Sequence, residues 1–141
     1  MKFDYFKFPL SKKSEFFGHS VLKPIISVKL GYGKQTINYA ALIDSGADFC
    51  IFDAEIGEAI GIDIKSGAIE IFGGIQDRAG ASAYFHEISV EVGGTIYKTI
   101  AGFSYDIAKH GYGILGQKGF FDLFSVKFDY SKERIELTGR K

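Results

Sequence analysis

Along most of the chain apolar and polar residues alternate over short runs, the period of a half-buried β-strand. In the run Ile25 to Leu30, Ile26, Val28 and Leu30 share one face and Ser27 and Lys29 the other. The turn formers Gly31 to Gln35 follow, and a second apolar run climbs to Ile43, so the two runs predict a hairpin. Ala68 to Phe72 and Ala81 to Val92 predict another pair of strands around the glycine-rich tip Gly73, Gly74, Ile75, Gln76 and Asp77. The longer strand sets Ile88, Val90 and Val92 against Glu87, Ser89 and Glu91, and Gly93 with Gly94 predicts a tight turn into Thr95 to Phe103. Two further strands centre on Val126 with Phe128 and on Ile135 with Leu137.

Helix signals are few. Asp53 to Ile60 carries an N-capping aspartate, Glu55 in the first turn, an apolar side made by Ile56, Ala59 and Ile60, and Gly61 as a stop. Gln117 to Leu123 predicts a second short helix. At the start, Phe3, Tyr5, Phe6 and Phe8 alternate with polar residues as in an aromatic strand or arm, which the polar run Ser11 to Glu15 is expected to end. These elements predict an all-β class: a closed, barrel-like β domain with one or two short helices. The expected division is an N-terminal arm over 1–19, the main domain over 20–130 and a C-terminal strand over 131–141, packed on that domain or at a dimer interface.

Composition sharpens this. With 18 Gly, 14 Phe and 8 Tyr against 2 Pro, short strands and glycine turns are favoured over helices. The 17 basic and 17 acidic residues cancel and form no block, which argues against a nucleic-acid surface. No run approaches the ~20 apolar residues of a membrane span. The single cysteine, Cys50, lies between Phe49 and Ile51 and reads as a buried thiol suited to a reducing compartment, so a cytoplasmic location is the expectation.

Chemistry concentrates in YAALIDSGADFCIF, residues 39–52, where an apolar strand stops at Asp44, Ser45 and Gly46 and resumes at Ile51. A carboxylate bracketed this tightly is held at a fixed point, although Asp, Ser and Gly also form ordinary Asx-turns. Asp44 and Asp48 do not share a helical face and no further oxygen cluster completes a metal site, so no metal is expected. GYGILG, residues 111–116, satisfies a dinucleotide fingerprint by letter, but the 25 residues after it leave no room for the βαβ architecture that the fingerprint serves. His19, His86 and His110 are too scattered for a zinc pattern, and neither Ser20 nor Ser45 sits in a nucleophile elbow.

The combination of ALIDSGAD (41–48), IFGGIQD (71–77) and YGILGQKGFFDLF (112–124) resembles the retroviral-type, retropepsin-like aspartic proteases from about Ile25 to Tyr130. The resemblance implies a closed barrel with a flap hairpin, a homodimer, a peptide or protein substrate and no cofactor. It casts Asp44 as the catalytic aspartate, Ser45 as a hydrogen-bonding group across the subunit interface and Gly46 as the point of close substrate approach. Asp48 would contact the substrate main chain, Gly73, Gly74 and Ile75 would cover it, and Ala47, Ile75 and Ile114 would wall the pockets. Gly116 would let its loop pass against the Asp44 loop, and the terminal strands are available for an intersubunit sheet. Gln117 stands where many relatives place an arginine paired to the acid matched by Asp48, and Gln76 and Asp77 replace the second glycine pair of the flap tip. The chain holds one such aspartate, so two copies of Asp44 are implied. The alternative is a catalytically inactive retropepsin-like domain that binds peptide or serves dimerisation.

Overall fold

The computed structural model describes residues 1–72, 80–107 and 111–140. The expected tip residues Gly73, Gly74, Ile75, Gln76 and Asp77, together with His110, lie outside the described residues. Among the described residues twelve strands form in chain order. The first five are β1 (Lys2–Asp4), β2 (Phe6–Ser14), β3 (Gly18–Lys23), β4 (Ile25–Tyr32) and β5 (Gln35–Ile43). After the Asp44 loop come β6 (Ile51–Asp53), β7 (Ala68–Phe72), β8 (Ala81–Val92), β9 (Thr95–Ser104) and β10 (Gly113–Leu115). The chain ends with β11 (Phe124–Asp129) and β12 (Arg134–Gly139).

Six strands close on themselves in the order β4, β5, β10, β6, β9, β8, and a second pairing of β8 with β4 completes the ring. The architecture is the expected all-β closed barrel. Closure depends on the length of β8: its first half pairs with β7 through Phe85↔Ala68, and its second half reaches β4 through Leu30↔Val90. Inward residues alternate as the sequence requires, with Val28, Leu30, Ile88, Val90 and Val92 all buried. Gly93 and Gly94 turn β8 into β9 with both φ angles positive, at 58° and 88°, the two-residue geometry that matches the twist of paired strands.

A three-stranded sheet, β1-β12-β11, packs beside the barrel. Phe120, Phe124, Ile135 and Leu137 are buried between them, and the Tyr97 and Phe124 rings meet at 4.7 Å between centroids. Both edges of β12 are filled within the chain, so the open edges of this sheet belong to β1 and β11.

The helix α1 (Ala54–Ala59) forms where Asp53 predicts it, with the Asp53 carboxylate accepting from the Glu55 amide at 3.0 Å. Two other elements depart from the sequence expectation. The run Ser11 to Glu15 does not end the aromatic strand: β2 continues to Ser14 and folds back on β3, the Ser14 hydroxyl capping the turn by accepting from the Phe16 and Phe17 amides. Gln117 to Leu123 is a series of turns rather than a helix. Gly119 adopts φ 108°, and the Phe121 and Asp122 amides reach back five residues to the Gly116 and Gln117 carbonyls, which sets Phe120 into the core.

Cys50 is buried, as its neighbours predict. Burial pushes its thiol up from an ordinary 9.0 to about 12. The unfolded chain therefore ionises this thiol first, so its contribution to stability is whole below about pH 8.5 and is lost as pH rises toward 12. Thermal unfolding of wild type should fall more steeply above pH 8.5 than that of Cys50→Ala.

Candidate active site

β5 carries its odd-numbered residues, Tyr39, Ala41 and Ile43, toward the barrel interior and its even-numbered ones outward. Asp44 continues the outward row and is half-buried, and Ser45, Gly46 and Asp48 are exposed. Three hydrogen bonds shape the turn at Asp44. Its amide donates to the Leu115 carbonyl at 3.0 Å, its carbonyl accepts from the Ala47 amide at 3.1 Å, and its Oδ1 accepts from the Gly46 amide at 2.9 Å. The Asx-turn is thus present, and it uses one carboxylate oxygen. Among the described residues Oδ2 has no hydrogen-bond partner, and no cation lies within ion-pair range of Asp44 or Asp48.

The segment after β10 locks this turn from the other side. The Gln117 amide donates to the Ala47 carbonyl at 2.8 Å and the Lys118 amide to the Asp48 carbonyl at 2.9 Å. The Gln117 side chain adds a third bond, its Nε2 donating to the Ser45 carbonyl at 2.6 Å. Close approach of the two segments requires glycine at 116, because a Cβ there would lie 2.8 Å from the Ala47 carbonyl oxygen and closer still to that of Phe49. Gln117 therefore holds the loop by neutral hydrogen bonds. Gln117→Ala is expected to cost about 1 kcal/mol of stability. Gln117→Glu should cost more at neutral pH, since an ionised carboxylate can only accept and would face a carbonyl. Amide exchange at Gly46 and Ala47, read with denaturant unfolding, checks both.

Of the residues expected at the site, Asp44, Ser45, Gly46, Ala47 and Asp48 form one loop. Ile114 sits beside it on β10, in register with Leu42 of β5 and with its side chain on the outward face. Gly73, Gly74 and Ile75 lie outside the described residues. The Ser45 hydroxyl is exposed and makes no hydrogen bond among the described residues.

Next to the loop opens an apolar cavity of about 650 Å³. Phe49, Ile71, Phe85 and Ile100 line it together with the charged Asp48, Glu70 and Lys118. The Phe49 ring packs at 5.0 Å from Phe85 and 5.8 Å from Phe72, tying the Asp44 loop to the β7–β8 pair. Alternation is the one sequence signal for this wall: a buried Cys50 turns Phe49 to the opposite side.

No protein-family model matches the sequence, and no curated protein does. Among solved structures, the chain is similar to the EIAV protease complexed with the inhibitor HBY-793, with a TM-score of 0.47 and 17% identity over 67% of this chain and 82% of that one.

Proposed function

We propose that this chain is an aspartic endopeptidase whose working dyad is Asp44 from two copies. The observation that carries this reading is the state of Asp44: a half-buried carboxylate at the end of β5, fixed through its backbone and Oδ1, with Oδ2 unengaged among the described residues, on a loop whose Asp48 and Phe49 line an apolar cavity. Paired across a two-fold axis, two such groups would share one proton, because like charges about 3 Å apart do not both ionise readily. The ionised carboxyl takes a proton from a water whose oxygen attacks the peptide carbonyl carbon. The protonated carboxyl gives its proton to the carbonyl oxygen. The resulting tetrahedral diol collapses as the C–N bond breaks, one proton passing to the departing nitrogen.

Within this reading the exposed Ser45 hydroxyl bonds across the subunit boundary and Gly46 admits the substrate backbone. Asp48 holds the substrate main chain, and Ala47 and Ile114 wall the pockets nearest the scissile bond. Gly73, Gly74 and Ile75 cover the peptide. One observation favours a peptide-binding domain without catalysis: Oδ1 of Asp44 already serves its own turn, as in any Asx-turn.

Dilution separates the two. A shared dyad predicts peptide cleavage per chain that falls on dilution in step with the dimer fraction from sedimentation. Cleavage that persists in a verified monomer would sink the shared dyad, and binding without cleavage by a verified dimer would establish the noncatalytic domain.

A further inference from the structure

A second apolar opening lies on the same outward face as Asp44, farther down β5. The register of the barrel sets up two rows across β4, β5 and β10. Ile25, Leu42 and Ile114 form the row next to Asp44. Ser27 and Ala40 form the row beyond it, and Tyr112, one step before β10, joins them. Over this second row lies β2, whose Phe6 and Phe8 close one side of a cavity of about 350 Å³. That is within the range of ligand-holding clefts, about 300–1,000 Å³. Phe6 and Phe8 stack edge to face at 4.7 Å, so the wall they make is continuous.

A cation stands over two of the cavity's walls. Lys23, the last residue of β3, holds its ammonium 5.1 Å from the centre of the Phe8 ring and 6.0 Å from that of Tyr112. Ring faces attract a cation and orient it without neutralising it. Among the described residues no carboxylate lies within ion-pair range of Lys23. An apolar recess next to a positioned cation that has no ion-pair partner among the described residues complements a ligand that is apolar in one part and anionic in the next.

We propose that the β2–β3 hairpin, Lys23 and Tyr112 form a distal subsite that takes a bulky apolar side chain of an extended peptide and reads a carboxylate on a neighbouring residue through Lys23. This rests on the endopeptidase reading for what lies at the other end of the face. Ala40 is four residues from Asp44 along an extended strand, about 13 Å at ~3.3 Å per residue. A substrate lying along β5 therefore presents the apolar side chain roughly three or four residues from the bond cut at Asp44. The hairpin thereby adds sequence selection that Asp44, Ile114 and the 650 Å³ cavity do not supply.

The test uses full-length protein and a synthetic library of random dodecapeptides. The library is panned on Asp44→Asn protein, alone and combined with Lys23→Glu or Lys23→Gln, and is separately digested with wild type and with the same Lys23 variants. Thermal unfolding verifies that each variant is folded, and Lys23→Gln keeps most of the side chain's stem. The expected result is enrichment of an apolar residue next to Asp or Glu, with the acidic preference roughly fivefold. It should disappear in Lys23→Gln and turn to Lys or Arg in Lys23→Glu. The same pattern should lie three or four residues from the cut in digested peptides. Identical peptide choice in all three proteins overturns the subsite even if cleavage is brisk. Charge-dependent choice in panning without wild-type cleavage keeps the subsite and rejects the endopeptidase. Lys23 variants that alter dimerisation but not peptide choice mark the face as a contact between copies and overturn the subsite.

Discussion

Replacing Asp44 by Asn is expected to lower peptide cleavage by at least roughly 10³-fold, since proton transfer by positioned carboxyls contributes about 10²–10⁴-fold and both directions of transfer are lost at once. The fold should survive. Asn keeps an oxygen that accepts from the Gly46 amide, and the bonds from Asp44 N to Leu115 and from Ala47 N to Asp44 involve only backbone. A mixing experiment gives the result more force. Wild type titrated with an excess of Asp44→Asn should lose activity as mixed dimers form, each holding one carboxylate where two are needed. Activity that ignores the added variant would mean that each chain is complete alone, and the two-copy dyad would be wrong.

Gly116→Ala should be the most damaging small substitution near the site. The added methyl meets the Ala47 and Phe49 carbonyl oxygens, and that of Ala47 is held by the Gln117 amide, so neither segment can yield without breaking the lock on the Asp44 loop. A cost of about 2–4 kcal/mol is expected. For a chain of this length that lowers Tm by roughly 6–12 °C, with cleavage falling further than the loss of folded protein explains. Gly94→Ala is the control. Nothing lies within 4 Å of a Cβ there, so its cost is the backbone strain of φ 88° alone. Equal effects of the two changes would show that crowding at Gly116 is not what fixes the loop.

Much of this was legible because strand burial is a local property. Ile88, Val90 and Val92 announce the inner face of β8 by period alone, and Asp53 announces α1 by its cap. The Asp44 loop stood out because a polar turn between two apolar strands is an unusual neighbourhood for a carboxylate. What was not legible depends on partners distant in the chain. Ser11 to Ser14 reads as a break until β3 is there to pair with β2. Gln117 to Leu123 reads as a short helix by its place between two strands, but burial of Phe120 and Phe124 side by side, with the positive φ of Gly119, selects turns. The bond from Gln117 Nε2 to the Ser45 carbonyl joins residues 72 apart, and no local pattern encodes it.

That separation bears on when the site comes into being during synthesis. A nascent chain that has emerged as far as β9 carries the whole Asp44 loop with its internal turn bonds, yet lacks the groups that lock it from the other side, because β10 must first slot between β5 and β6 and bring Leu115, Gln117 and Lys118 with it. Pairings between distant segments close late and on slow time scales. A chain wired this way completes the geometry of its Asp44 loop only after most of its length has left the ribosome, so that unfinished copies carry the aspartate without its full supporting frame.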